Sequence, residues 1–261
     1  MTSLEERISQ RLQRLYGNSD VEWLFRQCTS ALGDPSPSAS AARWSEDDVV
    51  LVAYPDQITD QGQSPLATLN RVLSEMSHAF STVHVLPFFP SSSDEGFAVI
   101  NHCEVAEEFG DWSHIEAIAT NHRVMSDLVL NHVSASHRWF EEFQNGIEPG
   151  RRCLLTGSPE SDLSAVVRPR TTDLLVPCDT TDGAKYLWCT FGPDQIDVDW
   201  EEPEVLLEML RALDRLLAVG VRWIRLDAVA YVQKRLGSTC VHLEQTHELV
   251  RLLRDLLEWR C

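Results

Sequence analysis

The sequence predicts an α/β fold built on a parallel sheet, and three observations carry that reading. Short apolar, β-branched runs alternate with stretches of helical periodicity. The strand-like runs are apolar on both faces, which suits strands buried in a parallel sheet joined by right-handed crossovers. Each run also ends in polar or turn residues, as strands do when a site is assembled at their carboxyl ends. Together these give a partial (β/α)8 TIM barrel, strands 1–4, with an inserted domain B after strand 3.

In chain order, residues 3–32 read as amphipathic helices. The opening MTSLEERISQRLQRLYG mixes charge and apolar residues at helical spacing and lacks the apolar core of a secretory signal. The run from Gly33 to Ser40 is rich in turn and breaker residues and reads as a linker, which makes 1–45 an N-terminal helical extension. Residues 46–133 then form the first part of the barrel. DVVLVAY (48–54) reads as a strand, SPLATLNRVLSEM (64–76) as a helix and STVHVLPF (81–88) as a strand. WSHIEAIATN (112–121) reads as a helix and RVMSDLVLNHV (123–133) as the next strand and its polar exit. Residues 134–198 break the alternation with Gly, Pro and Asp and only short apolar runs such as KYLWCTF (185–191), so they form the insertion. Residues 199–261 continue the barrel. PEVLLEMLRALDRLLAVG (203–220) is a helix stopped by Gly220, VRWIRLDAVAY (221–231) a buried strand, and a last helix spans roughly 243–259.

Composition narrows the function classes. Lys and Arg number 22 against 40 Asp and Glu, for a net charge of -18, which repels nucleic-acid backbones and anionic membranes. No stretch approaches the roughly 18 uninterrupted apolar residues of a membrane span. Seven cysteines, with no CxxC pair, suit neither a disulfide framework nor a zinc site. A cytoplasmic setting with reduced thiols is the expectation.

Three segments carry candidate chemistry. In IRLDAVAY (224–231) a strand delivers Arg225 and Asp227 to one face, where a guanidinium should keep the carboxylate ionised at a low pKa, as a covalent nucleophile requires. An ordinary ion pair at a strand end would leave the same pattern. DLVLNHVS (127–134) gathers Asp127, Asn131 and His132 at a strand end; His132 could hold a sugar hydroxyl and Asp127 could hold His132 or Arg225, or the pair could be loop hydrogen-bonders. SSSDEGFAVINHCEVAEEFGDW (91–112) sets Phe97 and Phe109 beside Asp94, Glu95 and Asp111, either a sugar platform or a structural loop. Asp56, just past the first strand, is a further candidate.

The order YPD, DEGF, DLVLNHVS, QIDVDW and IRLDAVAY resembles glycoside hydrolase family 13, the alpha-amylase superfamily. Within it the chain is most similar to the sucrose phosphorylase branch and its glucosylglycerate phosphorylases. LPFFPSSSDEGFAVI (86–100), VVRPRTTDLL (166–175), FGPDQIDVDWEEPEVLLEML (191–210) and GSTCVHLEQTHELVRLLR (237–254) carry that likeness, which runs from about Leu4 to Leu257. The sequence departs from the branch at Asn101-His102, Pro55 and Gly192-Pro193, which bears on acceptor choice more than on chemistry.

The resemblance implies that Asp227 is the glucosyl nucleophile and that Arg225 positions it. It implies that Asp56 and His132 hold glucosyl hydroxyls with Phe97 close by, and that Arg170 and Tyr231 lie toward the phosphate or acceptor side. The implied reaction is phosphorolysis of an α-glucoside, glucosylglycerate or sucrose, to α-glucose 1-phosphate with retention. It needs no cofactor and no metal, and takes inorganic phosphate as co-substrate. A hydrolase or transglucosidase of the same family, or a non-catalytic truncated sugar-binding product, are the competing readings.

A retaining mechanism needs a second carboxyl about 5 Å from the first, and the family brings it as a Glu on the strand after the nucleophile strand. Here the sequence runs from Asp227 to Cys261 through a helix, and Glu258 has the spacing of that helix. The expectation is an N-terminal fragment that is inactive by itself, with open sheet edges that favour a homodimer or aggregation. The acceptor, whether fructose, glycerate, glycerol or a sugar phosphate, is not legible.

Overall fold

A computed structural model describes residues 3–17, 20–34, 44–76 and 79–260. Most of the linker expected from Gly33 to Ser40 lies outside the described residues. Two helices open the chain: α1 (Leu4–Leu15), closed by a reciprocal capping box between Ser3 and Glu6, and α2 (Val21–Ala31), capped by Asp20. The barrel portion follows as β1 (Val50–Ala53), α3 (Pro65–Glu75), β2 (Thr82–Val85), α4 (Trp112–Asn121) and β3 (Arg123–Val129). Ser64 and Asp111 cap the two helices, so each crossover starts where a side-chain oxygen can take an otherwise unpaired helix N–H.

Between β3 and the next strand of the parallel sheet, mostly in the 134–198 stretch read as an insertion, lie β4 (His132–Ser134), α5 (Arg138–Gln144), α6 (Gly150–Cys153), the hairpin β5 (Leu175–Thr180) and β6 (Gly183–Trp188), and β7 (Gln195–Asp197). The stretch that reads as irregular therefore contains local order, built from elements too short to show a period. β4 and β7 pair antiparallel and close the insertion at its base. The barrel resumes with α7 (Pro203–Ala218), β8 (Val221–Asp227) and α8 (Glu244–Arg260). Gly220 ends α7 at φ +94, and a Cβ there would stand 2.9 Å from the Ala119 methyl, so the sharp turn into β8 needs glycine.

β1, β2, β3 and β8 form one parallel sheet in that order, with β1 and β8 at its edges. This is the partial barrel the alternation predicts. Strand alternation sends Val83, Val85 and Val124 outward into a buried cluster with Leu66, Leu69, Leu73, Ile115, Ile118 and Leu216 from the covering helices. The opposite face carries His84, Asp127, Arg225 and Asp227. A second cluster buries the rest of the apolar face of α7, Val205 through Leu213, against α2, α8 and the insertion.

α1 lies along α8 and is tied to it by charge. Arg11 reaches Glu248 at 2.8 Å and Asp255 at 2.5 Å, Arg14 reaches Glu248 at 3.0 Å, and Arg7 reaches Glu258 at 2.8 Å. Glu258 is thus a helix-surface residue directed at α1, as its spacing predicts.

Candidate active site

The parallel register sets Asp127 on β3 beside Arg225 on β8, and two residues on it sets Val129 beside Asp227. Arg225 divides its guanidinium between two carboxylates. Nη1 donates to Asp127 Oδ1, while Nη2 lies 2.9 Å from Asp227 Oδ1. Asp127 is fully buried, and its other oxygen accepts from His84 Nε2 on β2 at 2.8 Å. Four residues from three adjacent strands thus form a continuous chain ending on Asp227.

The electrostatics correct one expectation. Asp227 is pushed above the usual carboxylate range: burial raises it, the Arg225 charge opposes this, and the nearby Asp127 and Asp94 charges add to the rise. The guanidinium neighbour alone would lower it; desolvation outweighs that because the Asp227 side chain is only 16 % exposed. A poorly hydrated carboxylate is the more reactive nucleophile. Arg225 is itself held more firmly protonated; burial works against this, but its hydrogen bonds and charge contacts with Asp127 and Asp227 prevail.

His132 opens β4 and is buried, which lowers its pKa. Its Nε2 lies 3.1 Å from the Phe97 carbonyl and 3.1 Å from Gln195 Nε2, and Gln195 also donates to Asp94 at 2.9 Å. The Phe97 ring lies 5.7 Å from the Arg225 guanidinium. An aromatic path runs from His132 through Phe191 to Tyr231, with ring separations of 5.2 and 5.3 Å.

The loop bearing Asp94 is strained and laced down. Asp94 and Glu95 adopt φ of 55 and 53, and Gly96 follows at +101, where a Cβ would meet the Pro87 side chain at 2.8 Å. Tyr54 after β1 donates to Glu95 at 2.5 Å. Asp194, next to Gln195, accepts from Ser92 at 2.6 Å and Ser93 at 2.5 Å.

The Lys234 side chain is nearly covered, with its ammonium 2.5 Å from Asp197 Oδ2 and 2.7 Å from Asn131 Oδ1, and it also donates to the Tyr231 carbonyl. This pins the segment that follows Asp227 to both β7 and the β3 exit. A cleft of about 600 Å³ is lined by Lys234 together with Thr156, Tyr186, Trp188 and Leu236. No group of three His, Cys, Asp or Glu placed to hold a metal occurs among the described residues.

Asp227, Arg225, Phe97 and His132 come together at the strand ends, and Tyr231 joins them through Phe191. Asp56 is exposed past β1, and no side-chain hydrogen bond of it is seen among the described residues. Arg170 is likewise exposed, whereas Arg168 of the same RPR segment turns inward to the Cys189 carbonyl at 3.0 Å. Sequence reasoning named Asp94 only as part of its acidic and aromatic loop, and left out His84, Gln195 and Lys234. Asp94 sits in the loop already marked by its acidic and aromatic residues; the other three read as parts of ordinary elements until tertiary contacts are known.

Residues 73–251 match the family model for the alpha amylase catalytic domain. Over 256 residues the chain is 43% identical to a glucosylglycerate phosphorylase of Allomeiothermus silvanus, and over 260 residues 37% identical to one of Escherichia coli; each alignment covers 98% of this chain and 46% of the relative. The crystal structure of sucrose 6F-phosphate phosphorylase from Thermoanaerobacter thermosaccharolyticum superposes with a TM-score of 0.75 at 30% identity, covering 84% of this chain and 48% of that one. The chain spans about half the length of the curated relatives it matches.

Proposed function

Since the chain belongs to the alpha amylase catalytic-domain family, we propose that it carries the nucleophile half of a retaining α-glucosyl-transferring site, most closely a glucosylglycerate or sucrose phosphorylase. The observation that carries this is the divided Arg225 guanidinium, which orients a partly desolvated Asp227 at a strand end. The names of the similar proteins support phosphorolysis.

In this reading the Asp227 carboxylate attacks the anomeric carbon, the C1–O bond breaks, and its electron pair leaves with the protonated acceptor. Inorganic phosphate then attacks the β-glucosyl ester, restores the carboxylate and departs as α-glucose 1-phosphate, with net retention. His132 and Asp56 hold glucosyl hydroxyls, Phe97 packs near the ring, and Arg170 and Tyr231 serve the phosphate or acceptor side. A net charge of -18 makes a local cation such as Arg170 necessary for drawing phosphate in, and disfavours nucleic acid as a partner. No cofactor is required beyond phosphate. The six free cysteines among the described residues support a cytoplasmic setting, and the unpaired edges of β1 and β8 support pairing between copies.

Retention also needs a proton donor about 5 Å from the nucleophile, and the described residues after Asp227 form a 3-10 turn and α8 with no strand end to bring one. The test therefore uses α-D-glucosyl fluoride, whose fluoride leaves with the bonding pair and needs no proton. Incubation should add one glucosyl unit to the peptide containing Asp227, detected by mass spectrometry, and Asp227→Asn should abolish it. Undiminished labelling of the Asn variant would sink the assignment.

A further inference from the structure

We propose that His84 is a positioning residue for the nucleophile: by occupying one oxygen of Asp127 it leaves Arg225 a single point of attachment there, so that the other arm of the guanidinium is free to hold Asp227. This rests on Asp227 being the glucosyl acceptor.

An ionised carboxylate accepts and never donates, so the His84 nitrogen 2.8 Å from Asp127 Oδ2 carries the proton. Asp127 is fully buried and His84 is 5 % exposed, so water does not substitute easily for either partner. Arginine prefers to bind a carboxylate with both terminal nitrogens at once. That bidentate arrangement would take both Nη1 and Nη2 onto Asp127 and release Asp227. The structure shows the alternative, with Nη1 on Asp127 and Nη2 at 2.9 Å from Asp227, and His84 is the donor that blocks the bidentate one.

Few other charges reach this chain. Val52 and Met125 flank His84 at the same level of the sheet. Asp227 is faced by Arg225, Asp127 and Asp94, and Tyr54, bonded to Glu95, lies within electrostatic reach of Asp127. None of these supplies a second donor to Asp127 Oδ2.

The inference is tested on the purified 261-residue chain by following the Asp227 carboxyl through a pH titration with ¹³C NMR, its signal assigned by its loss in Asp227→Asn. In His84→Phe, Arg225 should move wholly onto Asp127. Asp227 then loses its counter-charge, so its titration midpoint should rise and its glucosylation by α-D-glucosyl fluoride should slow by about tenfold. His84→Gln, whose amide reaches the same oxygen, should restore both toward the parent, a rescue that a purely space-filling role would not show. Should the Phe variant fail to fold, His84→Asn, smaller and too short to reach Asp127, takes its place with the same expectation. An unmoved or lowered midpoint in the folded variant overturns the proposal. If labelling is absent in the parent chain while the midpoint still rises, the positioning role stands and the glucosyl reading fails; if labelling depends on Asp227 but ignores His84, the reverse holds.

Discussion

Lys234 Nζ lies 2.5 Å from Asp197 Oδ2, and the two side chains are 7 % and 0 % exposed. A nearly dry ion pair therefore anchors the segment just after Asp227 to the base of the insertion. Asn131 and the Tyr231 carbonyl take further donors of the same ammonium.

Lys234→Met removes the counter-charge and leaves Asp197 buried with only its two contacts from Thr190. The expected cost is about 3 to 5 kcal/mol, read as a lower urea midpoint. Lys234→Met combined with Asp197→Asn should cost less than the sum of the single changes. Strict additivity would show that the pair is not coupled.

Arg11→Ala should loosen α1 from α8. Glu248 is held below the usual carboxylate range: burial alone would raise it, but the hydrogen bond and charge of Arg11, with those of Arg14, reverse the direction. A depressed carboxyl contributes stability above the unfolded value, about pH 4.3, and loses it as pH falls through the folded value. Arg11→Ala should therefore lower stability at neutral pH by about 1 kcal/mol and flatten the acid side of the stability profile in chemical denaturation.

Two buried imidazoles act in a higher window. Burial pushes His137 down to about 3 and His102 down to about 4. Both stay neutral in the folded chain, so their contribution is complete above about pH 6.5 and is lost as pH falls toward those values. His137 Nδ1 also accepts from the Trp139 N–H at the start of α5, a bond that protonation would break. His137→Asn retains an acceptor for that cap and removes the titration, so stability should fall less steeply between pH 6.5 and 4 than in the parent; an identical slope would exclude His137 as a contributor.

Gln195→Leu fills similar space but holds neither Asp94 nor His132. Glucosylation of Asp227 by α-D-glucosyl fluoride should slow by about tenfold, while the thermal midpoint changes little compared with that of Lys234→Met. A parental labelling rate would remove Gln195 from the site.

The barrel portion was legible because its signals are local. The run 221–227, apolar at Val221, Trp223, Ile224 and Leu226, folds as β8 over Val221–Asp227, though at the edge of the sheet only Val221 of the expected buried strand is buried. The helix read over 112–121 is Trp112–Asn121, since Asp111 caps it and the periodicity stops where β3 begins. The insertion was less legible: β4 and β7 have three residues each and meet across a long gap in the chain, so neither has enough length to show alternation.

For the site, alternation along one strand was enough to place Arg225 and Asp227 on a common face, and the chain by itself determined the α/β architecture, because periodicity and capping act within a few residues. Which carboxylate shares the Arg225 guanidinium, which donor completes Asp127, and why Asp227 lies above rather than below the usual range were decided only in three dimensions. Those properties depend on desolvation and on contacts between β2, β3, β8 and the insertion, and burial has no local signature in the order of residues.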